Sequence, residues 1–569
     1  MKEPLTPGLW KIKLGLTIVG LKEMRVLNKA SKSGIIAQEK TLRNMLEESK
    51  NTVFGKEHNF SSILKAKTPL DLFAAYDKYV KINEYEDLKP YIERHKNGEA
   101  DVLFPGKPKM YATTSGTTNE PKWVPITERY YRDVYKKMNQ LWFYTAMKYK
   151  PHVFDGPTIS IVGKAVEGAA PDGTVYGSIS GISQRDIPKF MFPIHTAPAD
   201  VFGITDYKAR YYAIMRMGIA RDTHWIITAN PSTLVEMQTN VNEFYDEYVN
   251  DIENGTISDK VAIPDDIRKA MLTHIKPDPL RAQELRDLRA KYGTVLPKHY
   301  WPNLQVVNIW LCGNTDVYFQ KIKDSFPAGT LFFEFAYFAS ECKAGNVINP
   351  KTKDTVLFAH KVHFEFIREE EFGSDNPHVY QMHEVEQGER YNVIVTTSSG
   401  MYRYTMNDIV EVTGYYNDFP TVRFIQKANG IISMTGEKLH ECQFISAVRS
   451  VEKETGNNLR FFVSFADVKK SLYRFYYEFE NALVSKADAE RFTKLVDDEM
   501  KRVNDEYKTK RESFRIKDPE TELLVNESFE TFKARCIDLG YRDGQFKLNL
   551  LMQDEKRHAM FKELIKNAS

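Results

Sequence analysis

At 569 residues the chain is too long for one ordinary core and implies two to four folding units of about 100–200 residues each. Its 79 lysines and arginines balance 77 aspartates and glutamates, so no net field draws it to nucleic acid. Cys312, Cys342, Cys442 and Cys536 lie far apart without CxxC spacing, giving neither a disulfide framework nor a zinc site. No run reaches the ~18 apolar residues of a membrane helix, and cytoplasm is the expected compartment. The apolar run Leu14 to Leu21, flanked by Lys11, Lys13 and Lys22, is expected to pack on the protein's own body rather than touch a membrane.

In chain order, residues 1–50 read as helical, Phe60 to Ile63 as a connector, and the stretch from Pro69 to Ile82 as a further helix, together a helical cap within residues 1–100. Thr114 to Lys122 reads TSGTTNEPK. Met110 to Thr113 lead in as a strand and a helical pattern follows Val124, so the loop is expected at a strand-to-helix junction, where backbone N–H groups face anions. Hydroxyls of Thr114, Ser115, Thr117 and Thr118 can donate to phosphate oxygens, Gly116 permits close approach, and Lys122 can offset pyrophosphate charge. The common P-loop is excluded, because Pro121 stands where its second glycine belongs.

Tyr130 to Lys148 then forms a long helix. The strand-like runs Thr158 to Val162, His224 to Thr228, Leu304 to Leu311 and Thr330 to Phe335 alternate with helical patterns over Asp206 to Ala220, Ser232 to Ile252 and Asp265 to Tyr292. That alternation argues for an α/β fold. From about 355 to 427 closely spaced β-runs predict an antiparallel subdomain. Strands at Arg460 to Ser464 and Leu472 to Phe479, with helices at Ala487 to Lys508 and Glu527 to Leu539, predict a smaller α+β module.

YFASE, Tyr337 to Glu341, follows an apolar strand, at the sheet end where open α/β folds bind ligands. Tyr337 could stack on adenine, Ser340 hold a phosphate oxygen, and Glu341 give the hard oxygen that Mg²⁺ requires. GMYRYTMNDIV places Asp408 on a β-run, where a carboxylate can accept from both ribose hydroxyls. KANGIISMTGEKLHE, from Lys427, looks like a hinge.

In this order the four motifs resemble the adenylate-forming superfamily of acyl-CoA synthetases, luciferase and peptide-synthetase adenylation domains. YRYTMNDIVEVTGYY, TVRFIQKANGIISMTGEKLHE and YWPNLQVVNIWLCGN are most similar to the acyl acid amido synthetases, the plant auxin- and jasmonate-conjugating family with bacterial relatives. The resemblance covers nearly the whole chain. It implies a large N-terminal domain (1–427) and a mobile C-terminal domain (428–569). It puts Ser115, Gly116, Thr117, Thr118 and Lys122 on the phosphates, Tyr337 on adenine near Gly313 and Asn314, Ser340 and Glu341 on the α-phosphate and Mg²⁺, and Asp408 and Lys427 on ribose. Within DGQFK, Lys547 would be the mobile catalytic lysine.

The implied activity uses ATP and Mg²⁺ to activate a small carboxylic acid as its adenylate, then passes the acyl group to an amine, in the first place an amino acid. An acid:CoA ligase shares the first half, and a non-catalytic nucleotide sensor is the reading from another class. The acyl pocket is expected within about residues 175–235, with Arg185 a candidate carboxylate partner against a structural ion pair. Asn119, Asn407 and Lys427 depart from the family's glycine, glycine and arginine; Asn tolerates positive φ, whereas lysine lacks the planar fork. Oligomeric state leaves no trace in the sequence.

Overall fold

The computed structural model describes residues 9–114, 122–187, 194–229, 231–312, 319, 322–372, 374, 376–427, 431–481, 483–528, 531–532, 535, 550–553 and 555–565. Contacts divide the chain into two compact units, the second beginning after Ala428. In the first, helices succeed one another from α1 (Leu9–Ala30) to Lys96, as the cap was expected to do. Phe60–Ile63, expected as a connector, is itself a short helical turn.

The phosphate-loop region differs from expectation. Strand β1 (Met110–Thr114) pairs antiparallel with β2 (Lys122–Ile126), Thr114 opposite Lys122, so the loop joins two strands rather than a strand and a helix. Trp123, Val124 and Ile126 favour extended backbone, and Pro125 restrains Val124 to it. A helix begins only at Glu128, where the Thr127 hydroxyl accepts from the Tyr130 N–H at 3.0 Å. It continues through π-helical turns over Tyr131–Lys136 to Tyr149. Strands β4 (Gly168–Ala169) and β5 (Val175–Gly177) complete a sheet of order β2-β1-β5-β4.

The four expected α/β strands are β3 (Thr158–Ser160), β6 (Trp225–Ile227), β7 (Val306–Ile309) and β8 (Leu331–Glu334). They form one parallel sheet in that order. Two polar groups tie it together: the Trp225 indole N–H donates to Asn308 Oδ1 at 2.6 Å, and Asn308 Nδ2 donates to the Phe333 carbonyl at 3.0 Å. Between strands, the helix expected over Ser232 to Ile252 is two, Pro231–Glu243 and Tyr245–Asn254. The charged stretch is also two, Asp265–Leu272 and Pro279–Tyr292. There Pro277 and Pro279 interrupt the backbone ladder, and Asp278 caps the second helix by accepting from the Arg281 N–H at 2.9 Å.

The β subdomain is a seven-stranded antiparallel sheet. Its strands are β9 (Gly345–Asn346), β10 (Thr355–Leu357), β11 (His363–Arg368), β12 (Tyr380–Gln381), β13 (Arg390–Thr396), β14 (Tyr404–Tyr416) and β15 (Phe419–Lys427), in the order β12-β11-β13-β14-β15-β10-β9. Alternate side chains enter an apolar core that includes Phe364, Phe366, Val393, Val395, Val410 and Val412.

The second unit opens with the pair β16 (Ile431–Ile432) and β17 (Leu439–His440). The buried Glu437 carboxylate closes their turn, accepting from the N–H groups of Met434 (2.8 Å) and Thr435 (2.7 Å) and from the Tyr473 hydroxyl (2.6 Å). Strands β18 (Leu459–Asp467), β19 (Leu472–Phe479), β20 (Glu520–Leu523) and β21 (Leu551–Met552) form a sheet of order β20-β19-β18-β21. Helices Glu441–Thr455 and Lys486–Val503 pack on it through Phe444, Val448, Phe492 and Val496. The helix expected over Ala487 to Lys508 ends at Val503, and the next begins at Asp505 with Asn504 as its cap. Most of Glu527 to Leu539 lies outside the described residues.

Candidate active site

The chain leaves the carboxyl end of β8 through Ala336, whose φ of 85° turns it sharply. A small hairpin follows: Phe338 bridges Lys343, the Ala339 N–H donates to the Cys342 carbonyl at 2.8 Å, and the Ala344 N–H donates to the Tyr337 carbonyl at 3.2 Å. Ser340 and Glu341 occupy its tip, half-buried. The parallel sheet thus places a hydroxyl and a carboxylate just beyond its strand ends, where ligands of open sheets bind.

Tyr337 stands at the base of the hairpin. Its N–H donates to Thr355 Oγ1 at 2.8 Å, its hydroxyl donates to Asp408 Oδ2 at 3.0 Å, and its ring lies against Phe424 with centroids 6.5 Å apart. The residues expected on adenine and on ribose therefore touch, one from the parallel sheet and one from the antiparallel sheet. Tyr337 and Asp408 are both buried, and burial, with Asp408 beside it, drives the Tyr337 phenol far above its ordinary range.

Asp408 follows Asn407, whose φ is 51°. Asparagine supplies here the left-handed backbone for which glycine is usual, so this departure keeps the geometry. Beyond Asp408 the ladder is irregular at Ile409/Val410, as at a bulge, a device that re-aims side chains beside sites. Lys427 lies directly opposite Asp408 in the β14–β15 register.

Tyr404, the first residue of β14, is buried. Its phenol is raised first by burial and then by the charges of Glu341, Tyr85 and Asp408. Lys122 Nζ lies 5.5 Å above the Tyr85 ring, and the Tyr85 hydroxyl accepts from the Trp123 N–H at 2.7 Å. The direct contacts are thus two pairs, Tyr337 with Asp408 and Lys122 with Tyr85. Tyr404 and Tyr85 escape a reading of the sequence because a tyrosine among apolar residues carries no motif.

Lys343 is a second residue without a motif. It is buried, its N–H donates to the Tyr130 hydroxyl at 2.7 Å, and its Nζ donates to Asn139 Oδ1 at 2.6 Å. The Nζ also lies 5.2 Å above the Tyr135 ring and 5.3 Å above Phe338. Burial lowers this amine to about 7. Glu334, at the end of β8, is pushed the other way, to about 7, although its carboxylate accepts from the Leu311 N–H.

Arg185 faces Asp186, Nε to Oδ1 3.6 Å, and Asp186 also accepts from the Tyr131 hydroxyl at 3.1 Å, so the ion-pair expectation for this arginine holds. Ser115, Gly116, Thr117, Thr118, Gly313, Asn314 and Lys547 lie outside the described residues. Thr114 and Lys427 are described in backbone alone. Among the described residues no cluster of three His, Cys, Asp or Glu could hold a metal by itself. A single half-buried carboxylate, Glu341, suits Mg²⁺, which keeps waters and takes most of its other ligands from substrate phosphates.

A parallel sheet with a carboxylate beyond its strand ends, an antiparallel sheet presenting a buried aspartate, and a separate C-terminal α+β unit make up the architecture. The fold matches that of the solved AtGH3.15 acyl acid amido synthetase in complex with 2,4-DB, with TM-score 0.62 and 19% identity over 96% of both chains. The chain belongs to the GH3 family: residues 23–331 match the model of the family's N-terminal domain, 355–427 its central domain and 442–556 its C-terminal domain. It is 24% identical over 563 residues to indole-3-acetic acid-amido synthetase GH3.4 of Arabidopsis thaliana, covering 93% of this chain and 91% of that protein. It is 28% identical over 459 residues to jasmonoyl--L-amino acid synthetase JAR4 of Nicotiana attenuata, covering 76% and 75%.

Proposed function

We propose that this protein is an ATP-dependent ligase that converts a small carboxylic acid to its acyl adenylate and passes the acyl group to the amine of an amino acid. The observation that carries the reading is the hydrogen bond from Tyr337 to Asp408, with Glu341 on the hairpin that Tyr337 begins. It joins two motifs that lie 71 residues apart in the chain.

In this reading a carboxylate oxygen of the acid attacks the α-phosphorus of ATP, pyrophosphate leaves, and the amine nitrogen then attacks the acyl carbon to release AMP. Asp408 accepts from the ribose hydroxyls, held in place by Tyr337. Ser115, Gly116, Thr117 and Thr118 face the phosphates, Gly313 and Asn314 border the base, and Lys122 opposes the charge of the departing pyrophosphate. Mg²⁺ held at Glu341 would add positive charge beside the phosphates. Lys547, carried by a C-terminal domain that turns about the hinge at residues 427–430, acts in adenylation only.

A panel of carboxylic acids tested for pyrophosphate release, with amino acids or coenzyme A as acceptor, decides the reading. Acid-dependent release and an amide product are expected, and Lys547→Ala should abolish pyrophosphate exchange into ATP. A thioester product would mean an acid:CoA ligase, and nucleotide binding without release for any acid would mean a sensor.

A further inference from the structure

Helix α1 uses only half of its surface to fold. Ile12, Leu16, Glu23 and Leu27 turn inward, where Ile12 joins Trp142 and Ala146. Gly20 lies so close to Tyr144 that a Cβ there would overlap the ring, and Glu23 pairs with Lys361 at 3.7 Å. The opposite face is apolar as well: Trp10 is 65% exposed, Leu14 51%, Ile18 60% and Leu21 41%. At about 100° per residue these four fall within an arc of about 80°, a continuous stripe rather than scattered surface residues.

Charge selects what covers the stripe. Lys11, Lys22 and Lys29 line one edge and Arg25 lies within the arc, all exposed, with Lys11 Nζ 5.6 Å above the Trp10 ring. Lys13 is committed to Asp155. The helix carries one acid, Glu23, and it faces inward. A second copy of the chain would set lysine edge against lysine edge with no carboxylate on the helix to answer it. No described helix is long and apolar enough to cross a membrane, so the feature is one that lies on a surface. A tryptophan, three aliphatic side chains and a basic edge match the headgroup layer of an anionic bilayer, the apolar stripe entering the acyl boundary and the lysines meeting the lipid phosphates. The sequence leads one to expect packing on the protein's own body; the inner face does so, and the outer face remains.

We infer that the outer face of α1 docks the protein on anionic lipid membranes. The test is cosedimentation of the full chain with vesicles of phosphatidylcholine alone and of phosphatidylcholine with about 30% phosphatidylserine. The chain should bind the anionic vesicles at least about tenfold better than the neutral ones and lose that preference at about 0.5 M salt. Leu14→Glu with Ile18→Glu, and separately Lys11→Glu with Lys22→Glu, should each lower binding by at least about tenfold without changing the thermal midpoint or nucleotide binding. The inference is overturned if the wild-type chain ignores anionic vesicles or binds both kinds equally. It is equally overturned if the Leu14→Glu/Ile18→Glu chain binds as before, or if sedimentation shows a wild-type dimer that this variant dissociates.

Discussion

The parallel sheet and the seven-stranded antiparallel sheet both serve the site, in opposite ways. The parallel sheet holds the neutral Asn308 inside it and Glu334 at the end of β8, and delivers its candidate chemistry beyond the strand ends, on the hairpin that carries Ser340 and Glu341. The antiparallel sheet carries charged groups within its own ladder: Asp408 beside an irregularity, and Glu365 of β11, paired at 3.0 Å with buried Arg403, which directly precedes β14 and is also held by Asp77 at 2.6 Å and by the Val80 carbonyl at 2.7 Å. A group at a hairpin tip can change with little cost to the fold, whereas a charge inside a ladder is bound up with stability. Substitutions in the two places should therefore separate activity from stability.

The largest effect on stability belongs to the ladder. Arg403→Met leaves the Glu365 carboxylate buried without its cation and should cost about 3–5 kcal/mol in chemical denaturation. Adding Glu365→Leu should recover part of that loss. At the hairpin tip, Glu341→Gln should lower pyrophosphate exchange about 100- to 1000-fold, the scale of losing one preorganised electrostatic group, with an unchanged thermal midpoint.

Lys343 sharpens the contrast, since it lies on the hairpin but is buried like a ladder group. Its amine titrates near 7 in the folded protein and near 10.5 when unfolded. Between these values the unfolded chain holds a proton that the folded chain has shed, so stability rises with pH across that window and levels off below about 7, where both states are protonated. The slope approaches about 1.4 kcal/mol per pH unit. Lys343→Met should flatten that dependence in denaturation measured from pH 7 to 10. The smallest effect is Tyr337→Phe, which removes one hydrogen bond to a buried carboxylate. It should raise KM for ATP about tenfold, by about 1.5 kcal/mol, and leave kcat nearly unchanged.

Much of this was legible in the sequence. The four strands of the parallel sheet announced themselves as buried apolar runs between helical patterns, and the antiparallel subdomain as closely spaced β-runs. The phosphate loop was misplaced at a helix start because Trp123 to Ile126 is short and contains Pro125, which reads as easily as a helix entry as a β-edge. Asp408 and Glu341 were singled out as candidates through the order of their motifs, and the positive φ that asparagine tolerates is present at Asn407, at 51°. Tyr404, Tyr85 and Lys343 were not found. Their roles arise from long-range packing of cap, helix and sheet, which no local pattern encodes.

The central claim is that the site around Tyr337, Asp408 and Glu341 activates a carboxylic acid for transfer to an amine. Its most direct test is acid-dependent exchange of labelled pyrophosphate into ATP, followed by identification of the product when amino acids and coenzyme A are supplied together. The account predicts exchange only with acid present, its loss in Asp408→Ala, and an amide as the product. Exchange that survives Asp408→Ala, or a thioester formed in preference to the amide, would contradict it.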